Sequence, residues 1–556
     1  MPLVVSLLFM LAWGSAGMAQ PFQPGEALPI SLDPSNLPGY ALRTTLRMAA
    51  AMLASLVFTF AYASWAARSE RAAQVLIPLL DVLQSVPILG FLSITVVGFI
   101  KLFPGSLLGP ECAAIFAIFT SQAWNMTFSF YSSLRMIPKD LYQAAEVFQL
   151  SAWQRFWKLE VPYAVPGLIW NAMMSVAGGW FFVVAAEAIS VEGYSIQLPG
   201  IGSYIALAIQ QRDLTAIGWA IFAMLLVILA TDQLVFRPLT VWAERFKFEF
   251  TEAQGEPRSW FLAVLRRAQL AMLLTRLSAR AWDVSSRLLR HLPARPAVRL
   301  RWRFARRGVR LMDRLWTPLL IVAAGASIVA LARFVQAEVS YAEIGHVFLL
   351  GLWTGLRVML LIALASVIWV PIGIWIGLRP KLAQRAQPVV IFLASFPANL
   401  LFPLAVTAII QYHLNPEIWL SPLMILGTQW YILFNVIGAA AALPSDLREV
   451  AANLGLSRWL LWRRLLLPAI FPAYVTGGLT ASGGAWNASV VAEVVSWGST
   501  TLTATGIGSY IAAQTVAGDH PRIALGVAVM SLYVIVLNRS LWERLYIFAR
   551  QRFVFT

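Results

Sequence analysis

Apolar runs of about twenty residues recur along this chain, and they decide what it can fold into. Hydrocarbon offers no hydrogen bonds, so a segment that crosses it satisfies its amides within one helix of ~20 predominantly apolar residues. Runs of that kind lie near 3–19, 44–66, 75–100, 111–134, 165–187 and 215–237, and again near 316–335, 346–378, 386–411, 418–442, 470–493 and 522–540. The twelve spans predict an all-α integral membrane protein. Charge is correspondingly scarce, at 12% of residues where a soluble domain carries about 25%.

The loops test that map, because cytoplasmic loops hold the excess of Lys and Arg. With a cytoplasmic amino terminus, the inner loops carry Arg68, Arg71, Arg155 and Lys158, then Arg379, Lys381 and Arg385, then Arg448, Arg458, Arg463 and Arg464. Arg544, Arg550 and Arg552 follow in the carboxy-terminal tail, which is expected in the cytoplasm. The outer loops hold chiefly Arg43, Lys101, Arg212 and Arg522, so the alternation persists from end to end. The opening MPLVVSLLFMLAWGSAGMAQ has small residues before Gln20, as a signal peptide does, but lacks the basic start; a retained helix is expected.

Residues 243–315 are different in kind. Seventeen Lys and Arg stand there against six acidic residues, including the run RLRWRFARRGVR, and apolar residues recur at helical spacing in WFLAVLRRAQLAMLL. This composition predicts a cytoplasmic linker with a basic amphipathic helix resting on anionic membrane lipids. A net charge of +16 also suits a nucleic-acid binder, but no binding motif accompanies it, and no nucleic-acid partner is expected. The single Cys112 excludes an internal disulfide, and His291, His346, His413 and His520 show no metal-ligand spacing, so no metal site is expected.

The regions flanking the linker, 1–242 and 316–556, repeat one another. Pro162 and Pro468 are 306 residues apart, and so are Gln143 and Glu449, Trp180 and Trp486, Glu187 and Glu493, and Asp213 and Asp519. The same offset lays GIGSYIA (200–206) on GIGSYIA (506–512). Upstream the offset is 310, pairing LQSVP (83–87) with LASFP (393–397) and Arg47 with Arg357. With six spans each, the repeats are parallel, and duplication of this kind is a common transporter construction with the path at the interface of the halves.

Each repeat interrupts its apolar spans with one polar, punctuated segment: QAAEVFQLSAWQRFWKLEVP (143–162) and EVAANLGLSRWLLWRRLLLP (449–468). The pattern is helix, break, helix. Gly455 permits the positive-φ turn that ends the first piece, Ser457 can cap the second, and Leu-Pro marks the start of the fifth span. A short helix held across a bundle is a rigid knob suited to a groove on another protein.

That segment resembles the EAA signature of permease subunits in binding-protein-dependent ABC importers, and PLLDVLQSVP with AAE…GIGSYIA resembles the duplicated permeases of the nitrate/sulfonate/taurine-like anion branch. By this resemblance Glu449, Ala451, Ala452, Gly455 and Pro468 carry the motif, with Val450 replacing one alanine. Upstream Gln143 stands for the glutamate and Gln149 for the glycine, while Ala144, Ala145 and Pro162 match. The resemblance implies a type I importer fold with one cytoplasmic coupling helix per repeat, docking on a cytoplasmic ABC ATPase dimer. It also implies a periplasmic or lipid-anchored solute-binding protein, a bacterial inner membrane, and a small inorganic or organic anion as solute, bicarbonate-like or of the branch named above. No GxxxxGK[ST] occurs, so the chain is not expected to be an enzyme; it needs no cofactor of its own, and ATP and Mg belong to the partner. A secondary transporter is the alternative, although no paired mid-span acid is evident; a lipid enzyme lacks a catalytic cluster, and an exporter lacks the EAA pattern.

Polar residues inside spans are costly and often functional. The candidates for a substrate path are Gln84, Ser85, Gln122, Trp124 and Asn125, with Ser395, Asn399, Gln429, Trp430 and Asn435 in the second half. Glu187 and Glu493, ending the fifth spans, read as an outer gate or as headgroup-level carboxylates. Arg47 and Arg357 read as anion guides or as snorkelling side chains.

Overall fold

Proline and small residues set the architecture. The structure, a computed structural model, describes residues 29–191, 194–246, 325–443 and 445–553 together with Pro21 and Val322; the expected span at 3–19 and nearly all of the basic linker lie outside them. The first half runs α1 (Leu37–Arg68), α2 (Glu70–Ser85), α3 (Ile88–Leu102), α4 (Leu108–Met136), α5 (Lys139–Val147), α6 (Ala152–Glu187), the hairpin β1–β2 (Ala188–Val191 and Tyr194–Gln197), α7 (Ile201–Gln211) and α8 (Leu214–Ala243). The second runs α9 (Gly325–Gln336), α10 (Tyr341–Gly377), α11 (Pro380–Ser395), α12 (Ala398–Gln411), a short helical stretch Pro416–Met424, α13 (Gln429–Ala441), α14 (Ser445–Asn453), α15 (Arg458–Ala492), the hairpin β3–β4 (Val494–Trp497 and Thr500–Thr503), α16 (Ile507–Ala517) and α17 (His520–Ala549).

The repeat survives folding almost residue for residue. From α5 onward the boundaries recur 306 residues later, including the π-turns Phe156–Glu160 and Trp462–Leu466 inside α6 and α15, and Asp232–Phe236 and Asn538–Trp542 inside α8 and α17. The hairpins, Ala188↔Gln197 to Val191↔Tyr194 and Val494↔Thr503 to Trp497↔Thr500, add two antiparallel ribbons to the expected all-α architecture. In the first half α1 packs along α4 and α4 along α6; in the second α10 packs along α13 and α13 along α15. α1 buries Arg47, Ala51, Ser55, Thr59 and Ala63, one every four residues, and the Thr59 and Thr127 hydroxyls meet at 3.1 Å across the α1–α4 contact. Such small side chains let backbones approach, which is what holds helices together in lipid.

Among the described residues some of the expected spans are interrupted. Among the described residues six helices are long and apolar enough to cross a membrane (α1, α6, α8, α10, α15 and α17), or eight if two bent pairs count as spans. The expected span 386–411 breaks by 75° between α11 and α12, at Phe396 and Pro397, and 75–100 breaks at the matching Val86 and Pro87. A proline cannot donate to the helical ladder and drives the residue before it to extended backbone. The stretch Pro416–Met424 meets α13 at 43°, whereas its counterpart α4 is one helix of 29 residues. Pro162 and Pro468, expected at helix starts, lie inside α6 and α15 just after a π-turn. The wider turn makes room at the carbonyl that a proline ring would otherwise strike.

The halves interlock. Ile88 N donates to Asn487 Oδ1 at 2.8 Å, Gly498 N donates to Ile209 O at 2.9 Å, and the Trp170 and Phe434 rings stack at 5.1 Å.

Candidate functional site

Three features converge on function: a pair of knobs at one end of the bundle, a pair of ion-pair braces toward the other, the first of them fully buried, and a cavity between the halves. Each knob is a nine-residue helix, α5 or α14, turned sharply into the long helix that follows. The turn is left-handed at Gln149 (φ 51°) and at Gly455 (φ 59°). Leu150 N donates to Ala145 O at 3.0 Å and Leu456 N to Ala451 O at 3.2 Å, closing both helix ends in the same way. Ser151 and Gln154 form a capping box on the next helix, and Ser457 Oγ accepts from Leu460 N at 3.3 Å. Ala145 and Ala451 are buried at the base of each knob; Gln143, Ala144, Gln149, Glu449 and Gly455 are exposed, Pro162 and Pro468 are half-buried, and Ala452 lies within α14. The exposed tips are apolar: Phe148 is 76% exposed and its repeat mate Leu454 69%. Beyond the first knob, Arg68 Nη2 and Arg155 Nε pair with the buried Glu160 at 2.9 and 3.3 Å and tie α1 to the start of α6; Leu378, Leu461 and Leu466 occupy the corresponding places in the second half.

Arg47 and Glu187 meet at the other end. Arg47, fully buried, grips Glu111 with Nε and Nη2 at 2.6 and 2.7 Å, reaches Glu187 Oε1 with Nη1 at 2.6 Å, and gives a further bond to Pro199 O. Thr44 Oγ1 donates to Glu187 at 2.7 Å, and Gly202 N, in the first turn of α7, donates to Glu187 Oε2 at 2.7 Å. The second half repeats the design: Arg357 pairs with Glu417, stands 3.7 Å from Glu493 and donates to Thr505 O, while Thr354 and Ser509 N hold Glu493. A Cβ on Gly200 would lie 2.3 Å from Glu187 Cδ, and one on Gly506 2.2 Å from Glu493 Oε1. The twice-written GIGSYIA is therefore a seat: its glycines let a helix amino terminus close on a carboxylate.

Three of the four residues read as an outer gate, headgroup-level carboxylates, anion guides or snorkelling side chains are buried, and Arg357 keeps a partly exposed side chain. Arg47 has no exposed face to offer an anion, and Glu187 and Glu493 are buried ion-pair partners. Sequence reasoning overlooked Glu111, Glu417, Thr44 and Thr354. The signal was present: Glu111 and Glu417 are 306 apart, and Thr44 and Thr354 are 310 apart.

The path candidates scatter. Gln122 is buried against Met48 and Ser55, within the first half. Trp124 joins an edge-on cluster with Phe58 and Phe119; Trp430 lies 4.9 Å from Trp369, whose Nε1 donates to Gln429 Oε1. Ser85 and Asn435 bond back to their own helices, and Gln84 reaches Asn125 only at 3.5 Å. Asn399 donates weakly to Phe181 O of the other half and leaves Oδ1 buried without a partner. Ser395 lines a cavity of about 280 Å³ between α6 and α8 of one half and α11 of the other, together with Trp180, Asp232 and Phe392. Asp232, in the π-turn of α8, was also missed.

Two interlocked repeats, each with a projecting knob and an ion-pair brace, define a duplicated membrane permease. Residues 59–237 and 369–541 both match the family described as "Binding-protein-dependent transport system inner membrane component", and the chain belongs to that family as a fused, duplicated ABC permease. Among similar curated proteins are the glycine betaine/proline betaine transport system permease protein of Escherichia coli K12 (28% identical, 36% of this chain, 54% of the relative) and the bicarbonate transport system permease protein of Synechocystis (30%, 22% and 41%). A nitrate import permease protein of Leptolyngbya laminosa is 27% identical over 32% of this chain and 59% of its own length. The chain thus spans about half the length of these relatives.

Proposed function

We propose that the chain forms the translocation path of an ABC importer for a small polar solute, driven by ATP hydrolysis on a separate cytoplasmic ATPase dimer. The observation that carries this reading is the pair of apolar-tipped knobs, placed identically in both repeats and opposite the braces. An isolated loop has no need to expose Phe148 and Leu454 on a rigid, doubly capped turn; a docking surface does. The knobs and the basic linker then face the cytoplasm, the linker rests on anionic lipid, and the braces lie toward the side where a solute-binding protein delivers its load. Relatives named for nitrate, bicarbonate and betaines span anions and a zwitterion, which supports a compact charged solute. The test is co-purification: the full chain, co-expressed with candidate ATPases, is expected to retain one through affinity purification and to stimulate solute uptake in proteoliposomes only with ATP inside the motor compartment. Uptake by the chain alone would overturn the reading.

A further inference from the structure

Each hairpin reaches out of its own half. β1 follows Glu187 directly and packs against α3 of its own half and α16 of the other; β3 follows Glu493 and packs against α12 of its own half and α7 of the other. The roots are fixed, because Leu198 N donates to Glu187 O at 2.9 Å and Ala504 N to Glu493 O at 2.8 Å, tying each ribbon to a brace. Two strands of four residues are marginally stable by themselves, so what the ribbon touches at its far end decides where it lies.

The far end of β3–β4 is fastened to the first half. Gly498, in its turn, is left-handed at φ 60°, and its N donates to Ile209 O at 2.9 Å, in the last turn of α7. Arg212, which ends α7 in a left-handed conformation of its own (φ 57°), donates from Nη2 to Ser499 Oγ at 3.2 Å. A Cβ on Gly498 would lie 2.2 Å from Arg212 Nε, so the arginine crosses the turn where only a glycine leaves room. Val495 and Trp497, on the ribbon behind it, are buried. The sequence writes this pair once: Gly518 stands at the position matching Arg212, and Glu192 and Gly193 at those matching Gly498 and Ser499.

Halves that rock about a central path must part at each end in turn. Hydrogen bonds near a surface contribute little net free energy, enough to bias such an equilibrium and little enough to be released. Further hydrogen bonds between the halves, Ile88 to Asn487 and Asn399 to Phe181, lie at the helix breaks beside Pro87 and Pro397. We propose that the β3–β4 hairpin is a strap that holds the brace ends of the two halves together, with Arg212 over Gly498 as its latch, so that those ends part when the turn leaves α7. As a gate on a transport path the proposal rests on the permease reading; as a latch between the halves it stands without it.

The test reads the distance between the halves on the full chain in detergent. In a Cys112→Ser background, spin labels on Thr215→Cys of α8 and Val516→Cys of α16, exposed positions in different halves, report the separation of the brace ends by double electron–electron resonance. Arg212→Ala removes the latch and Gly498→Ala drives a Cβ into it; each is expected to enlarge the longer-distance population about threefold. Ser496→Ala is the control, since its hydroxyl meets Thr501 Oγ1 within the hairpin, and it is expected to change nothing. Elution volume identifies a misfolded variant; if Gly498→Ala is one, Arg212→Ala carries the test. Distances unmoved by the folded latch variants, or moved as far by Ser496→Ala, would overturn the latch. With a retained ATPase the latch variants should raise ATP hydrolysis in the absence of solute about threefold, and unchanged hydrolysis while the ends part would overturn the gate. If no ATPase is retained the permease reading fails, and the distances still decide the latch.

Discussion

At Gln149 and Gly455 the backbone is left-handed, a conformation that costs an ordinary side chain roughly 1–2 kcal/mol and glycine almost nothing. No atom lies within 4 Å of a Cβ built on Gly455, so Gly455→Ala adds backbone strain and no collision. It should lower stability by about 1 kcal/mol, and Gln149→Gly should raise it by roughly 0.5 kcal/mol, both read from melting in detergent. The braces differ more. Removing Arg47 strands two buried carboxylates, so Arg47→Met should cost about 3–5 kcal/mol, measured by the same melts. Arg357 is 17% exposed at its side chain and its partner Glu417 43%, so Arg357→Met should cost clearly less, because water can reach the stranded charge.

For the helical elements, placement matters more than length. α5 and α14 are too short to be stable alone and stand because left-handed turns and serine caps fix them to α6 and α15. Their tips carry no internal contacts worth keeping, so Phe148→Asp and Leu454→Asp should leave melting unchanged while reducing ATPase retention in a pull-down; unchanged retention by the double variant would argue against docking there. α7 and α16 are held by carboxylates at their amino termini. A Cβ on Gly202 would meet Val184 O at 2.2 Å, a backbone atom that cannot yield, so Gly202→Ala should cost more than about 2 kcal/mol and loosen the Glu187 seat. The glycines of GIGSYIA were legible as a repeat, but their purpose was not, because the carboxylate they admit lies outside the heptad and reaches it only in three dimensions.

The whole molecule is two copies of one plan that have diverged where they touch. Trp170 of α6 stacks on Phe434 of α13, but the repeat mates of those residues are Thr476 and Phe128, so the contact exists once. A Trp170→Cys/Phe434→Cys pair in a Cys112→Ser background should be bridged by a short thiol cross-linker and should then block ATP-driven uptake, restored by reduction, if the halves move apart during transport. The spans are interrupted at Pro87 and bent by 75° at Pro397: hydropathy averages over a window, and a single proline barely changes that average while it breaks the helix.

The sequence by itself determined the membrane class, the duplication and its register, and the two polar segments, since hydropathy, identity at a constant offset and turn residues are all local or periodic properties. Only the tertiary structure decided that Arg47 is buried between two carboxylates, that Gln122 and Trp124 make their contacts within the first half, and that Asp232 faces a cavity shared by both halves. The reason is physical: the role of a charge in a membrane depends on which groups stand within a few ångströms of it, and residues 47, 111 and 187 become neighbours only when three helices are packed together.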